Sequence, residues 1–229
     1  AEGSRTHFGI FAPGVTQLFP DGHIINLHPW EHNEVAPALA AALSTDVPII
    51  ALHLTRPPVE IPDRKQLGMS SHLDASKGAY VIKDFDEKGE KKGVVIVRGT
   101  SSTNSIVSLL DILRKENLNV KIVAAISWEL FKRQSEEYQK TIISDIEWLD
   151  SMIVTNGALR LMHKWIGGKI VEDYSMSPDF DNRWRTGGSV DEIVAESKID
   201  SLSVLDGIKK FVNERDKRMA AISSSLPKA

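Results

Sequence analysis

Apolar residues follow two rhythms along this 229-residue chain. Short unbroken apolar runs bounded by turn residues alternate with stretches in which apolar positions recur every three or four residues. The first rhythm predicts strands covered on both faces, and the second predicts amphipathic helices. Residues 22–56 read as strand, helix, strand. Ile24, Ile25 and Leu27 follow the turn signal Asp21-Gly22, and residues 35–43 form an alanine-rich helix with Asn33 as its expected cap. Pro37 must lie in the first turn of that helix or bend it, because proline has no backbone N–H to donate further in. Residues 48–54 then form a nearly continuous apolar strand.

Residues 57–76 mix prolines and charges without periodicity, and the linker is placed at 59–76. Beyond it, strands are predicted at 80–82 and 94–97 around a charged turn at 86–92. A helix over 103–116 presents Ile106, Leu109, Leu110 and Leu113 on one face. Further strands are predicted at 120–126, 151–155 and 170–174, with helices at 128–142, 159–166, 190–196 and 204–219. The alternation implies an α/β fold in residues 77–229: a mixed, mostly parallel sheet of about five strands with flanking helices. The short turn between its first two strands makes one edge antiparallel. Residues 1–58 carry a βαβ unit ahead of it.

Composition narrows the function classes. Hydrophobic residues make up 41% and charged residues 26%, which is ordinary for a globular protein. A formal net charge of -3 gives no bulk attraction for nucleic acid or an anionic membrane, so neither is expected as a partner. The absence of cysteine excludes disulfides, iron–sulfur ligation, thiolate zinc and a cysteine nucleophile, and it suits a cytoplasmic location. No apolar stretch approaches the ~20 residues of a membrane-spanning helix. The first residues lack both an initiating methionine and the basic-then-apolar pattern of a signal peptide. They read as a stretch of a longer polypeptide.

Three constellations are candidates for chemistry. Val97-Arg98-Gly99-Thr100-Ser101-Ser102-Thr103-Asn104 is a Gly- and hydroxyl-rich loop between a strand and a helix, able to hold an anion or to act only as a turn with an N-cap. His28 and His32 have the spacing of a helical metal pair, but Pro29 stands between them, so turn and packing roles are expected and no metal site. Residues 180–188, with Arg183, Trp184 and Arg185, read either as a ligand or interface anchor or as an irregular cover over the sheet.

Several segments, in order, resemble the transketolase family. Thr6-His7 is similar to the family's Thr-His at the opening of a substrate loop. The stretch from His28 to Glu34 resembles "R-P-A-D-x-N-E", and Leu54-Thr55-Arg56 resembles "L-[TS]-R" at the end of the pyrimidine-binding domain. Residues 76–81, Ser-Lys-Gly-Ala-Tyr-Val, resemble the start of the family's C-terminal domain. Val97-Arg98-Gly99-Thr100-Ser101-Ser102 stands where the family has "A-T-G-S-E-V". The most specific likeness is Ser127-Trp128-Glu129-Leu130-Phe131 with Gln134 and Tyr138, matching "S-W-E-L-F-x-x-Q-x-x-x-Y".

The resemblance implies the C-terminal portion of a thiamine-diphosphate enzyme of the pentose phosphate pathway, which transfers a two-carbon ketol unit between sugar phosphates. Residues 1–58 would be the end of the pyrimidine-binding domain and 77–229 the C-terminal domain. It implies a catalytic and substrate-binding role for His7, a phosphate-gripping role for Arg56, a homodimer, and thiamine diphosphate with Mg (or Ca) in the full enzyme. Trp165, Trp184 and the 159–166 helix are the expected dimer anchors. The sequence departs from the family at residues 9–17 and 181–189, which leaves substrate choice open. The family's cofactor-activating glutamate and metal-binding "G-D-G" segment have no counterpart here, so neither cofactor nor metal is expected on this chain alone, and it would be inactive by itself. The alternatives are a related thiamine-dependent enzyme (a deoxyxylulose-phosphate synthase or a keto-acid dehydrogenase subunit), a separate N-terminal subunit supplying the rest, or a non-catalytic dimerisation or interaction module.

Overall fold

The computed structural model describes residues 11–55, 58–183 and 187–225. It runs α1 (Phe11–Thr16), β1 (Ile24–Leu27), a 3₁₀ turn His32–Glu34 leading into α2 (Val35–Leu43), then β2 (Ile49–Leu52), α3 (Arg64–Leu67) and a second 3₁₀ segment, His72–Lys77. The chain continues with β3 (Ala79–Lys83), β4 (Val94–Arg98), α4 (Thr100–Val107), α5 (Leu110–Lys115), β5 (Lys121–Ala125), α6 (Trp128–Phe131), α7 (Glu136–Ile142), α8 (Asp145–Leu149) and β6 (Ser151–Thr155). A 3₁₀ segment Leu159–Trp165 precedes α9 (Lys169–Tyr174), α10 (Val190–Glu196), α11 (Ser201–Asn213) and α12 (Arg215–Ser225).

The described strands form two sheets. β1 and β2 pair in parallel, and the larger sheet has the order β3-β5-β4-β6, parallel except for the antiparallel β3. The expected antiparallel edge is present, but β3 pairs with β5 rather than folding back on β4. Burial explains the choice. β4, β5 and β6 are buried along their whole length, whereas β3 leaves Val81 and Lys83 half-covered, as suits an edge. The larger sheet has four strands instead of about five, because residues 170–174 form most of α9 and not a strand. Only Val171 of that helix is buried, and a short apolar run does not distinguish strand from helix.

Alternation along the strands builds two cores. Val95, Val97, Ile122, Ala124, Met152 and Val154 face α4, α5 and α11, and Ile25, Leu27, Trp30 and Ala38 of the first unit join that core. Val94, Ile96, Val123 and Ile153 face Phe131, Ile142, Met162 and Trp165. Both expected long helices are interrupted. The 103–116 helix starts at Thr100 and breaks at Ser108, whose hydroxyl donates to the Ser105 carbonyl at 2.8 Å. The 128–142 helix divides into α6 and α7, with Ser135 capping the second. Asn33 is not the cap: the Glu31 carboxylate accepts the Asn33 N–H at 2.7 Å. β2 is also less covered than its apolar run implies, with Ile49 37% exposed.

A polar cluster ties β1's outgoing chain to β3. Arg64 donates to Glu31 at 2.8 Å and Glu34 at 2.7 Å, and both carboxylates are fully enclosed. The Tyr80 hydroxyl donates to Glu34 and accepts from Trp30 Nε1 (2.8 Å) and Arg64 Nη1 (3.2 Å). A second cluster anchors the C-terminal helices: Asp150, at the start of β6, accepts from Arg215 at 2.9 Å and Arg218 at 2.7 Å. Arg218 is 1% exposed and lies 3.6 Å from the centre of the Phe211 ring. Gly78 sits where the second 3₁₀ segment meets α6. Its φ is 83°, its carbonyl accepts from Ile126 and Ser127, and a Cβ there would lie 2.3 Å from the Phe131 nitrogen.

Candidate functional site

The carboxyl ends of β1 and β5 meet, with the His28 N–H donating to the Ile126 carbonyl at 2.8 Å. Ser127 then turns the chain into α6, its hydroxyl accepting the Leu130 N–H at 3.3 Å as an N-cap. The following residues each have a defined partner. Glu129 accepts the Asn26 N–H at 3.2 Å, and its other oxygen lies 3.5 Å from Lys164, which also pairs with Asp21 at 2.8 Å. The Lys164 ammonium holds the Asp21 carboxyl below its ordinary range. Leu130 and Phe131 enter the cores, Gln134 donates to the Leu130 carbonyl at 3.0 Å, and the Tyr138 hydroxyl donates to the Ala79 carbonyl at 2.8 Å. The Ser-Trp-Glu-Leu-Phe motif therefore joins the two sheets.

Between them lies a small cleft, partly open to solvent and lined by Gln17, Asn26, His28, Arg98, Ala125–Glu129, Leu161 and His163–Trp165. Arg98 ends β4 and donates from Nη1 to the Leu161 carbonyl at 2.9 Å. The His28 ring stacks on His53, with centroids 4.3 Å apart and planes 6° apart, and His53 Nε2 lies 3.2 Å from Asn26 Oδ1. Burial, reinforced by the Arg98 charge, pushes both imidazoles down, His28 well below its ordinary value and His53 to about 4. Both rings are neutral at pH 7, so they offer hydrogen bonds and no charge.

A stability profile checks this. The unfolded imidazoles take protons near pH 6.5 while the folded ones resist, so the unfolded state binds more protons below that pH. Stability should be complete above pH 6.5 and should fall as the pH drops from there towards 4. Urea midpoints at pH 7 and pH 5 should differ, and His53→Gln should narrow the difference. An unchanged difference would leave the two rings out of the acid response.

The structure brings together only part of what the sequence nominated. His7, Arg56, Trp184 and Arg185 lie outside the described residues. His28 packs on His53, not with His32, and no group of three His, Asp or Glu residues suited to a metal occurs among the described residues. In the 97–104 segment the Ser102 and Thr103 hydroxyls donate back to the Arg98 and Gly99 carbonyls at 2.6 and 2.7 Å, and Thr100 accepts from Thr55 at 2.9 Å. Trp165, an expected dimer anchor, is 3% exposed and is consumed by packing on Trp128, Phe131 and Trp148. Arg183 pairs with Asp181 and Glu196. His53 was not nominated, and Arg98 was named only as part of the 97–104 loop. Arg98 left a signal, since a charged residue closing a run of four β-branched residues must be accommodated inside.

Comparison with known proteins agrees with this architecture. Residues 78–174 match the model of the transketolase-like TK C-terminal domain. Transketolase 7 of Craterostigma plantagineum is 38% identical over 122 residues, covering 53% of this chain and 17% of that protein. The chloroplastic transketolase of Spinacia oleracea is 32% identical over 170 residues, covering 73% of this chain and 22% of that protein. Among solved structures, a Pichia stipitis transketolase in complex with sedoheptulose-7-phosphate superposes with a TM-score of 0.70 at 21% identity, covering 93% of this chain and 28% of that one. The Leishmania mexicana transketolase gives 0.70 at 20%, covering 94% and 29%. The chain thus spans about a fifth of the length of the curated relatives.

The four-stranded mixed sheet and the Ser127-to-Tyr138 segment define a transketolase-type C-terminal domain, here preceded by a strand–helix–strand unit. The chain belongs to the transketolase family, as a C-terminal part.

Proposed function

We propose that this chain is the C-terminal portion of a transketolase that moves a two-carbon ketol unit between sugar phosphates on thiamine diphosphate, within the pentose phosphate pathway. The observation that carries the reading is the match over residues 78–174, in which the Ser127–Tyr138 segment makes the contacts that lock one sheet to the other. The described residues supply no ligand set for the cofactor's metal. The sequence has no Gly-Asp-Gly segment and the described residues offer no metal cluster. The cofactor site therefore belongs to other polypeptide, joined to this chain or assembled with it, and the proposed functional unit is a homodimer. Residues 1–58 and 77–229 act as the end of a pyrimidine-binding domain and as the C-terminal domain. Their compartment is assigned as cytoplasmic, although the spinach relative is a chloroplastic protein by name. No described helix is long and apolar enough to cross a membrane.

Purifying the native gene product through an epitope within residues 77–229 tests this. The mass should be well above 25.4 kDa for one polypeptide, or a second subunit should co-purify, and ketol transfer should accompany it. A single 25.4 kDa species without activity would favour the interaction-module reading. Titrated alone with thiamine diphosphate and magnesium, this chain should show no binding near the ~1 μM level, about -8 kcal/mol.

In the complete enzyme, Arg56 grips the sugar phosphate and His7 meets the substrate's hydroxyl and carbonyl end, both assigned by resemblance. Arg56→Ala should then lower kcat/KM for phosphorylated donors about ten- to a hundredfold, since a hydrogen bond to a charged group contributes about 1.5–3 kcal/mol. Hydroxypyruvate, which has no phosphate, should be used nearly as before. Equal losses for both donors would make Arg56 a structural residue.

A further inference from the structure

Arg98 differs from the other buried arginines. Arg64 and Arg218 each face carboxylates at 2.7–2.8 Å, whereas Arg98, only 7% exposed, has no carboxylate in ion-pair range among the described residues. Its one hydrogen bond runs from Nη1 to the Leu161 carbonyl at 2.9 Å. Among the described residues, Arg64 Nε is the single side-chain atom both sealed and unpartnered, so the free N–H groups of Arg98 open onto the cleft. The Glu129 charge supports the guanidinium from a distance without bonding it, and a buried guanidinium with no ion-pair partner is costly unless an anion completes it.

The other groups in the cleft fit that reading. Lys164 is neutralised by Asp21 and Glu129. Glu129 faces the same cleft, but its oxygens are engaged by the Asn26 N–H, the Ser127 hydroxyl at 3.4 Å and Lys164. The remaining polar lining includes the neutral His28 imidazole and the Gln17 amide, which keeps one N–H beyond the one it donates to the Leu161 carbonyl. A planar fork beside neutral donors matches a tetrahedral oxyanion, which accepts two parallel bonds from the fork and presents further oxygens to its surroundings. The cleft is small and opens to solvent, so it takes the anion itself and leaves any organic remainder to project outward.

We infer that Arg98 anchors a phosphoryl group, as inorganic phosphate or on a small phosphate monoester, in the cleft between the two sheets. This goes beyond the ketol-transfer reading, in which Arg56 holds the sugar phosphate, and it stands or falls without it.

Calorimetric titration of the 229-residue chain with inorganic phosphate and, separately, with glycerol phosphate tests the inference, with acetate at matched ionic strength as the control. At least one phosphate should bind saturably, one per chain, with Kd of about 1 mM or tighter. Arg98→Met should weaken it about ten- to a hundredfold, and Arg98→Lys, which keeps the charge and loses the fork, should fall between. Tighter binding of glycerol phosphate would identify a monoester as the ligand, and equal or weaker binding would identify the free anion. Circular-dichroism melts report whether each variant is folded. If Arg98→Met is not, Arg98→Lys and the ³¹P line width of phosphate mixed with wild-type chain carry the decision. No saturable binding by wild type, equal binding of acetate, or wild-type affinity in a folded Arg98 variant would overturn the assignment.

Discussion

Replacing Arg64 with methionine should remove about 3–5 kcal/mol of folding stability, the usual result of breaking one side of a buried ion cluster. The cause is what remains. Glu31 and Glu34 are fully enclosed, and Arg64 is the one cation in contact with either among the described residues. Burial already pushes the Glu34 carboxyl above its ordinary range, against the opposing pull of Tyr80, Trp30 and Arg64. Without the guanidinium it rises further, so the folded variant binds a proton that the unfolded chain has released. Stability is then lost as the pH rises through the interval above about 4.5. The deficit should accordingly be larger at pH 8 than at pH 5. Urea unfolding of wild type and Arg64→Met at both pH values measures it. A deficit below about 1 kcal/mol, or one independent of pH, would mean that the carboxylates find water.

Asp150→Ala should be of similar size, about 3–5 kcal/mol, and should act at the other end of the molecule. Asp150 is 5% exposed, and its two oxygens take Arg215 Nε at 2.9 Å and Arg218 Nε at 2.8 Å. Removing it leaves Arg218 among Phe211, Tyr174 and backbone carbonyls, with no other ion-pair partner among the described residues. The packing of α11 and α12 against β6 depends on that pair, so protease cleavage should appear first in residues 201–225. Asp150→Asn keeps an acceptor and should cost less. Equal costs for Ala and Asn would show that charge, not hydrogen bonding, is decisive, and no cost for either would remove Asp150 as the anchor.

The sheet was legible wherever a strand is buried on both faces. β4 announces itself as an unbroken β-branched run and β5 and β6 as short, mostly apolar runs, and all three are buried along their length. The order of strands was not legible. Whether β3 pairs with β4 or β5 depends on long-range burial, and a seven-residue charged turn suits either choice. Helix interruptions at Ser108 and between Phe131 and Glu136 arise from hydroxyl groups competing for the backbone, which a periodicity reading does not register. The Ser127–Tyr138 segment was found by resemblance, and only the contacts explain why those residues occur together. Arg98 was read as part of a loop, whereas register with Thr155 makes it the last residue of β4. The stacking of His28 on His53 joins the residues that directly follow two parallel strands and has no signature in either segment alone.

The indole cluster beneath the sheet has an optical consequence. Trp148 and Trp165 lie nearly parallel, 4° apart in plane with centroids at 6.1 Å, and Trp128 stands edge-on to both at 5.8 and 5.1 Å. Transition dipoles this close couple, so the three rings absorb as one chromophore and should give a split band of opposite signs in the far-ultraviolet circular dichroism. Excitation energy passes among them faster than it is emitted, and the half-buried Trp128 and Trp148 are the rings through which solvent quenchers reach the set. Trp30, enclosed near Tyr80 in the other core, stands apart from this exchange. The chain therefore carries an intrinsic spectroscopic reporter for one face of its sheet, and loss of the split band would register the separation of α6 from the 159–165 segment before secondary structure changes.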